Sequence, residues 1–307
     1  MDKIKNILIC GLGAIGSIYA VKISQNKNYN LKILADKRRI ERYTKEPLLF
    51  NGKEYDFEYI TPDEHYFSAD LVIIATKNNA LNDIINTLNP FIHDKTIILS
   101  LLNGLQSEDT LIEKFGEEKV LYSYYIGHTS TRIGREVKHD NIYKTVFGNK
   151  DNTTYTTSVK KLSNFFEETN INYEVPIDMD YARWWKFLVN VGYNQASAVL
   201  NASYKDFQQS KKTNNIAIKL MEECVLIAKA EGVKNTEKMI PEVLDVIKTM
   251  LPETRTSMLQ DVDAKRQTEV AAFAGYVSKL GKKHDIKTPY NDMFLSLIEA
   301  IDEKNTK

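Results

Sequence analysis

Ile7-Leu8-Ile9-Cys10-Gly11-Leu12-Gly13-Ala14-Ile15-Gly16-Ser17 decides how the first half of the chain is read. Four apolar residues run into three glycines at the G-x-G-x-x-G spacing, and an amphipathic stretch with Ile18, Val21 and Ile23 follows. The pattern predicts a buried strand, a glycine turn and a helix. The glycines serve separate purposes, with a tight turn at Gly11, room for a pyrophosphate against bare backbone at Gly13, and close helix-strand packing at Gly16. The helix that begins there directs its unsatisfied N–H groups and positive dipole end at an anion. A glycine turn also serves ordinary strand-helix packing, so its surroundings carry weight. A second apolar strand, Leu31 to Ala35, ends at Asp36, twenty residues past Gly16, where dinucleotide-binding folds keep the residue that reads the ribose.

The 307 residues suit two domains of ordinary size, and a hydrophobic content of 43% fills a core in each. Lys plus Arg equal Asp plus Glu at 41 each, so no net field favours nucleic acid or an anionic membrane. Cys10 lies in the buried strand and Cys224 in an apolar helical pattern, which argues against a disulfide framework or a metal cluster and for a reducing cytoplasm. No apolar run approaches transmembrane length, and the residues before Ile7 lack the apolar core of a signal peptide. The expected ligand class is therefore a small molecule bound by a soluble protein; a homodimer stays open.

Working outward, Asn51-Gly52 between strand-like flanks is a strong hairpin signal. Asp70 to Thr76 is a continuous apolar run of the kind a parallel sheet buries on both faces, and Lys77 follows at its carboxyl end, the edge where open α/β sheets bind ligands. A helix over Ala80 to Leu88 leads to the strand Thr96 to Leu101 and then to Leu102-Asn103-Gly104, which places Asn103 at the same edge. A helix over Glu108 to Phe115 and a strand over Val120 to Tyr125 follow, and Glu136 to Gly148 reads as a further antiparallel pair. Past Tyr173-Glu174-Val175-Pro176 the periodicity is almost purely helical, and Glu303 to Lys307 reads as a frayed, charged end. The predicted fold is α/β: an N-terminal Rossmann doubly wound sheet over residues 1–174, joined to a C-terminal all-helical domain over 175–307.

In the helical half, Lys186, Asn190 and Asn194 stand at i, i+4, i+8 among apolar neighbours, from Trp184-Trp185 to Gln195. Buried amides and an ammonium are costly without partners. Two readings fit: amides satisfied by neighbouring backbone with Lys186 reaching out to water, or a stripe facing the carbonyl, hydroxyl and carboxylate groups of a substrate. Ser257 with Gln260 three residues later forms a capping-box pattern, and Thr268 with Glu269 reads as a helix start.

The combination of Gly11-Leu12-Gly13-Ala14-Ile15-Gly16, strand-end Lys77, Leu102-Asn103-Gly104, Lys186 with Asn190 and Asn194, and Ser257-Met258-Leu259-Gln260-Asp261 through Thr268-Glu269 resembles the ketopantoate reductase (2-dehydropantoate 2-reductase) family over essentially the whole chain. The resemblance implies reduction of ketopantoate by a nicotinamide cofactor, with the substrate between the two domains. Carried over residue by residue, it implies that Lys186 is the general acid and that Asn190, Asn194 and Ser257 hold the substrate. Glu269 would orient Lys186, the reacting oxygen and the cofactor; Lys77 and Asn103 would lie near the nicotinamide ribose and substrate; and Ser130 would pass close to the cofactor. Gly11, Leu12, Gly13, Ala14, Ile15 and Gly16 would form the cofactor turn. Such chemistry suits the residue types, because an ammonium aimed at the ketone oxygen both stabilises growing negative charge and delivers a proton. Other readings consistent with the residues are a reductase of another branched 2-keto acid or an imine, and a non-enzymatic dinucleotide sensor.

Leu102 replaces the glutamine that commonly precedes Asn-Gly in that family, and Asp36 stands where many members place an arginine for the adenosine 2′-phosphate. An acid there usually accepts from the 2′-hydroxyl of NAD, while Lys37, Arg38 and Arg39 supply positive charge for NADP. The expectation is NADP(H), with Lys37 and Arg38 in contact and NAD(H) as the alternative. Finally, one straight helix would hold Ser257 and Glu269 about 18 Å apart. A shared substrate therefore requires a break between Ala264 and Thr268, with Thr268 capping the next helix.

Overall fold

A computed structural model describes residues 3–127 and 130–306. The chain divides into two compact units, Met1–Leu102 with Ser107–Met179, and Asn103–Gln106 with Asp180–Lys307. The division therefore falls five residues beyond the 174/175 boundary read from the change to helical periodicity, and the four residues Asn103–Gln106 group with the second unit.

The first unit runs β1 (Asn6–Cys10), α1 (Ala14–Ser24), β2 (Asn30–Leu34), α2 (Lys37–Lys45), β3 (Leu48–Phe50), β4 (Lys53–Tyr55), β5 (Glu58–Ile60), β6 (Ala69–Ile74), α3 (Leu81–Leu88), β7 (Ile92–Ser100), α4 (Gln106–Phe115), β8 (Val120–Gly127), β9 (Ser130–Ile133), β10 (Glu136–His139), β11 (Tyr143–Gly148), α5 (Thr157–Glu168) and β12 (Tyr173–Glu174). Eight strands form one sheet in the order β12-β11-β8-β7-β6-β1-β2-β5. From β5 to β8 every pairing is parallel; β11 joins antiparallel to β8. Alternation along the strands sends Ile7, Ile9, Leu71, Ile73 and Leu99 to a core shared with Tyr19 of α1 and Phe166 of α5. It sends Leu8, Cys10, Val72, Ile74 and Ile98 to a second core shared with Ile85 of α3 and Leu111 of α4. Strands buried on both faces are why these segments read as unbroken apolar runs. Because β2 lies on one side of β1 and β6 on the other, the chain reverses its winding direction between β1 and β6, the place where open α/β sheets form a crevice at their carboxyl ends.

The Asn51-Gly52 hairpin forms between β3 and β4, with φ of +47° and +80° at the two turn residues. The expectation of an antiparallel pair within Glu136 to Gly148 is corrected. β10 pairs antiparallel with β9 and parallel with β3 in a separate four-stranded sheet, whereas β11 pairs with β8 in the large one. The alternation that marked both segments as strands carries no information about which neighbour each will find.

The second unit contains α6 (Met179–Val189), a π-helical turn (Asn190–Asn194), α7 (Gln195–Leu200), α8 (Tyr204–Gln209), α9 (Lys211–Ala230), α10 (Met239–Thr249), α11 (Ser257–Asp263), a 3₁₀ turn (Val270–Ala272), α12 (Ala274–His284) and α13 (Pro289–Thr306). Its core gathers Phe187, Val191, Leu220, Cys224, Phe273, Val277 and Ile298. Two buried polar side chains hold the helix ends. Gln195 accepts from the Ala274 N–H at 2.9 Å, and the Glu223 carboxylate accepts from the Tyr290 and Asn291 N–H groups at 2.9 Å each. An acid there complements the positive end of α13. α13 continues through Thr306, so the segment read as frayed is helical up to the last described residue. No described helix is long and apolar enough to cross a membrane.

Candidate active site

The glycine turn is a backbone construction. At Gly11 φ is +104°, and a Cβ would stand 2.6 Å from the Ala75 carbonyl oxygen at the end of the neighbouring strand. At Gly16 a Cβ would stand 1.9 Å from the Gly11 carbonyl oxygen, so only glycine lets α1 close onto the turn. Gly13 differs: its nearest neighbour, the same Ala75 oxygen, is 3.9 Å away, leaving open space over the backbone. Gly13 is also the N-cap of α1 and receives no side-chain cap. Leu12 is buried beneath the turn, and Ala14 and Ile15 open the helix. A cradle that a Cβ would fill, at an uncapped helix start, fits a diphosphate. The Ser130 hydroxyl donates to the Ala14 carbonyl at 3.2 Å, so β9 crosses the first turn of α1. Lys77 is exposed just past β6, at the start of a 3₁₀ turn (Asn78–Ala80).

Asp36 is the N-cap of α2. Its Oδ1 accepts from the Arg39 N–H at 2.8 Å, and the Arg39 Nε lies 3.4 Å from Oδ2. Lys37 and Arg38 occupy the first turn, exposed, and among the described residues neither forms an ion pair. Cations at a helix N-terminus oppose its dipole, so an anion there would be doubly welcome. Composition alone did not single out two further arginines. The guanidinium carbons of Arg42 on α2 and Arg132 on β9 lie 5.1 and 6.0 Å from the ring centre of Tyr43. Burial pulls the Arg132 pKa down. A run such as Lys37-Arg38-Arg39 is visible as a run, whereas a pair drawn from elements ninety positions apart needs the fold.

In the helical unit, the π-helical turn replaces what reads as continuous α-helix. Gly192 sits in it under Met221 of α9; a Cβ there would lie 2.6 Å from the Met221 Cγ. The Asn194 amide nitrogen donates to the Asn190 side-chain oxygen at 3.1 Å and to the Ser257 hydroxyl at 3.2 Å. Asn190 and Asn194 are 3% and 6% exposed, so the two amides are interior, and Asn194 reaches from there to the exposed Ser257. Single π turns recur at functional sites because they re-aim side chains without ending a helix. The capping-box reading of Ser257 is corrected. Thr256 is the N-cap of α11, its hydroxyl accepting from the Leu259 N–H at 3.3 Å, and Ser257 is the first helical residue. Its hydroxyl is thereby released from capping and meets Asn194. The sequence signal was present, since a threonine directly precedes Ser257, but the glutamine at the right distance favoured the serine.

Lys186 lies one turn before Asn190, half-buried on α6, and makes no side-chain hydrogen bond or ion pair among the described residues. Removal from water lowers its pKa to about 8. Glu269 accepts from the Asn103 side-chain amide at 2.8 Å. The Asn103 loop reaches it because Gly104, with φ of +98°, lets the chain pass 3.3 Å from the Ala272 carbonyl, measured from the position of a Cβ. The break required between Ser257 and Glu269 is present: α11 ends at Asp263 and Lys265 adopts φ of +52°. Thr268, however, caps no helix. Its hydroxyl donates to Asp302 at 2.8 Å, and Glu269 itself precedes the 3₁₀ turn.

The fold thus joins Asn190, Asn194 and Ser257 in one network, Asn103 to Glu269 in a second, and the glycine turn to Ser130 in a third. The chain is 26% identical to a 2-dehydropantoate 2-reductase from Lactococcus lactis subsp. lactis, covering 97% of this chain and 98% of that one. Its fold matches a ternary complex of D-mandelate dehydrogenase with NADH and anilino(oxo)acetate (TM-score 0.86, 22% identity, 98% and 99% of the two chains). It also matches a PanE/ApbA family ketopantoate reductase from Ralstonia eutropha (TM-score 0.82, 21% identity, 98% and 100%). The family models for ketopantoate reductase PanE/ApbA and for its C-terminal region match residues 7–152 and 178–302, and with both halves matched in order the chain belongs to the ketopantoate reductase family.

Proposed function

We propose that this protein catalyses the NADPH-dependent reduction of 2-dehydropantoate to pantoate, a step of coenzyme A precursor synthesis. The observation that carries the reading is the Lys186 ammonium, without a partner among the described residues, one turn from the buried amides of Asn190 and Asn194 and the exposed hydroxyl of Ser257 that Asn194 meets. In that cluster, Asn194 spends its amide hydrogens on Asn190 and Ser257. The Asn190 amide group and the Ser257 hydroxyl proton then remain to donate to a ligand. Donors without a fixed acceptor suit the carboxylate and hydroxyl of a keto acid.

A bound reduced nicotinamide would supply the hydride that the carbonyl carbon accepts. As the carbon–oxygen double bond opens, the Lys186 ammonium gives its proton to the oxygen and is left as a neutral amine, to be reprotonated from water. A pKa of about 8 keeps most of the lysine charged at neutral pH, while making it a stronger acid than an ordinary lysine. Glu269, held by Asn103, orients the reacting groups. The Gly11, Gly13 and Gly16 turn would hold the diphosphate, Lys77 would hold the nicotinamide ribose, and Asn103 would bind the ribose and the substrate.

NADP(H) is supported by Lys37 and Arg38 at the start of α2. Asp36, already committed to the Arg39 N–H and guanidinium, presents a charge that is largely answered within its own turn. Loss of absorbance at the reduced-nicotinamide band, followed with ketopantoate and either NADPH or NADH against a control without ketone, tests both points. Rapid ketone-dependent oxidation with NADPH in preference to NADH is expected. Binding of the dinucleotide without any ketone-dependent oxidation would overturn the reading and leave a sensing role, while turnover of other branched keto acids or imines alone would reassign the substrate.

A further inference from the structure

We propose that Asp302, near the end of α13, is a positioning residue for the Glu269 carboxylate and acts through Thr268. The proposal rests on the orienting role given to Glu269 above. Backbone bonds from Ala264, Lys265 and Arg266 close the end of α11, where Lys265 turns the chain through φ of +52°, and Gln267 to Glu269 then lead to the 3₁₀ turn at Val270 outside any helix. A segment of this kind has no ladder to fix the direction of its side chains, so outside partners must do it.

Those partners are specific. At the entry, the Arg266 N–H donates to the Asp261 carbonyl at 2.8 Å and its Nε to the Asp261 carboxylate at 2.7 Å. At the exit, both Asp302 oxygens lie 3.2 Å from the Thr268 N–H, and Oδ2 also accepts from the Thr268 hydroxyl at 2.8 Å. Asn305, one turn on, donates to the Val262 carbonyl at 3.4 Å. Thr268 is 9% exposed, so its backbone and hydroxyl donors both need a partner inside the protein, and one carboxylate serves both. The next residue is Glu269, which leaves at φ −98° and ψ 27° with its carboxylate on Asn103 at 2.8 Å. Two bonds on Thr268 and one on Glu269 fix three successive points, so the direction of the Glu269 side chain is set from α13.

The test is a double-mutant cycle in the full chain, with Asp302→Ala, Glu269→Gln and the two combined, assayed by steady-state turnover of ketopantoate alongside melting temperature and dinucleotide affinity by nicotinamide fluorescence. Displacing a reacting group by an ångström costs on the order of 10- to 100-fold in turnover, and Asp302→Ala is expected to lower kcat by that amount with dinucleotide affinity unchanged. In the Glu269→Gln background the same substitution is expected to change kcat by less than about twofold, because both act through one group. Asp302→Asn, which keeps an acceptor oxygen, is expected to recover most of the loss, and Thr268→Val repeats the test should Asp302→Ala fail to fold. Equal losses in both backgrounds, or a lower melting temperature at unchanged kcat, would overturn the proposal while leaving Glu269 in its role. Wild-type kcat in Glu269→Gln alone would overturn the role of Glu269 and this proposal with it.

Discussion

The glycine turn at Gly11–Gly16 and the polar network around Asn194, the two parts of the proposed function that would meet a ligand, are made in opposite ways. The turn is local: six consecutive residues, bare backbone, and geometry imposed by missing side chains. The network is assembled from side chains sixty-three positions apart, on α11 and on a π-helical turn, and exists only because the helical unit folds. A local site tolerates no added atom, whereas a dispersed site depends on which neighbour takes which hydrogen bond. The two should therefore fail differently when altered.

The largest effect is expected at Lys186. Replacing it with alanine should lower kcat by about 10² to 10⁴, the usual worth of a positioned acid, with dinucleotide affinity nearly unchanged. Normal turnover with weakened dinucleotide binding would remove it from the acid role. The same residue sets a pH dependence. Burial lowers its pKa to about 8, so the acid form is full below that pH and is lost as pH rises through it. The rate of the chemical step should therefore fall above about pH 8, and a flat profile to about pH 10 would show that another group donates the proton.

Next come the glycines, where the contrast is within the turn itself. Gly16→Ala drives a Cβ to 1.9 Å from the Gly11 carbonyl and should cost about 1–3 kcal/mol or more in stability, read as a fall in melting temperature. Gly13→Ala meets open space and should fold normally yet weaken dinucleotide binding, since the methyl group would occupy the room left for phosphate. Equal melting temperatures for the two variants would break this distinction.

Smaller and more diagnostic is the pair Thr256 and Ser257. Thr256→Ala removes a helix cap and should cost about 1 kcal/mol of stability with little change in KM. Ser257→Ala should leave stability nearly intact and raise the KM for the keto acid, because its hydroxyl lies on Asn194. The reverse pattern would restore the serine as the cap. The smallest effect is expected at Asp36, whose charge is answered by Arg39: Asp36→Arg should shift the ratio of NADPH to NADH rates toward NADPH by a few-fold, measured in one assay.

The first unit was legible because its signals are short in range. An unbroken apolar run names a doubly covered strand, Asn51-Gly52 names its hairpin, and the three glycines name a turn. Where partners had to be chosen, legibility ended. The segment Glu136 to Gly148 contains two strands, as its alternation suggests, but they join different sheets. In the helical unit, the residue types at 186, 190 and 194 marked an unusual helix, while the π turn that carries Asn190 and Asn194 packs at Gly192 against Met221 of α9, a partner only the fold supplies.

By itself, then, the sequence determined the elements whose cause lies within a few residues: the strand-turn-helix at the start and the change from alternating to helical periodicity near residue 175. Tertiary structure decided who partners whom. Thr256 caps α11 and leaves Ser257 to Asn194, Thr268 turns from capping to Asp302, and Arg132 meets Arg42 over one tyrosine ring. The physical reason is that a hydroxyl, an amide or a guanidinium carries several hydrogen-bonding options of similar worth, and only the packing of distant elements selects among them.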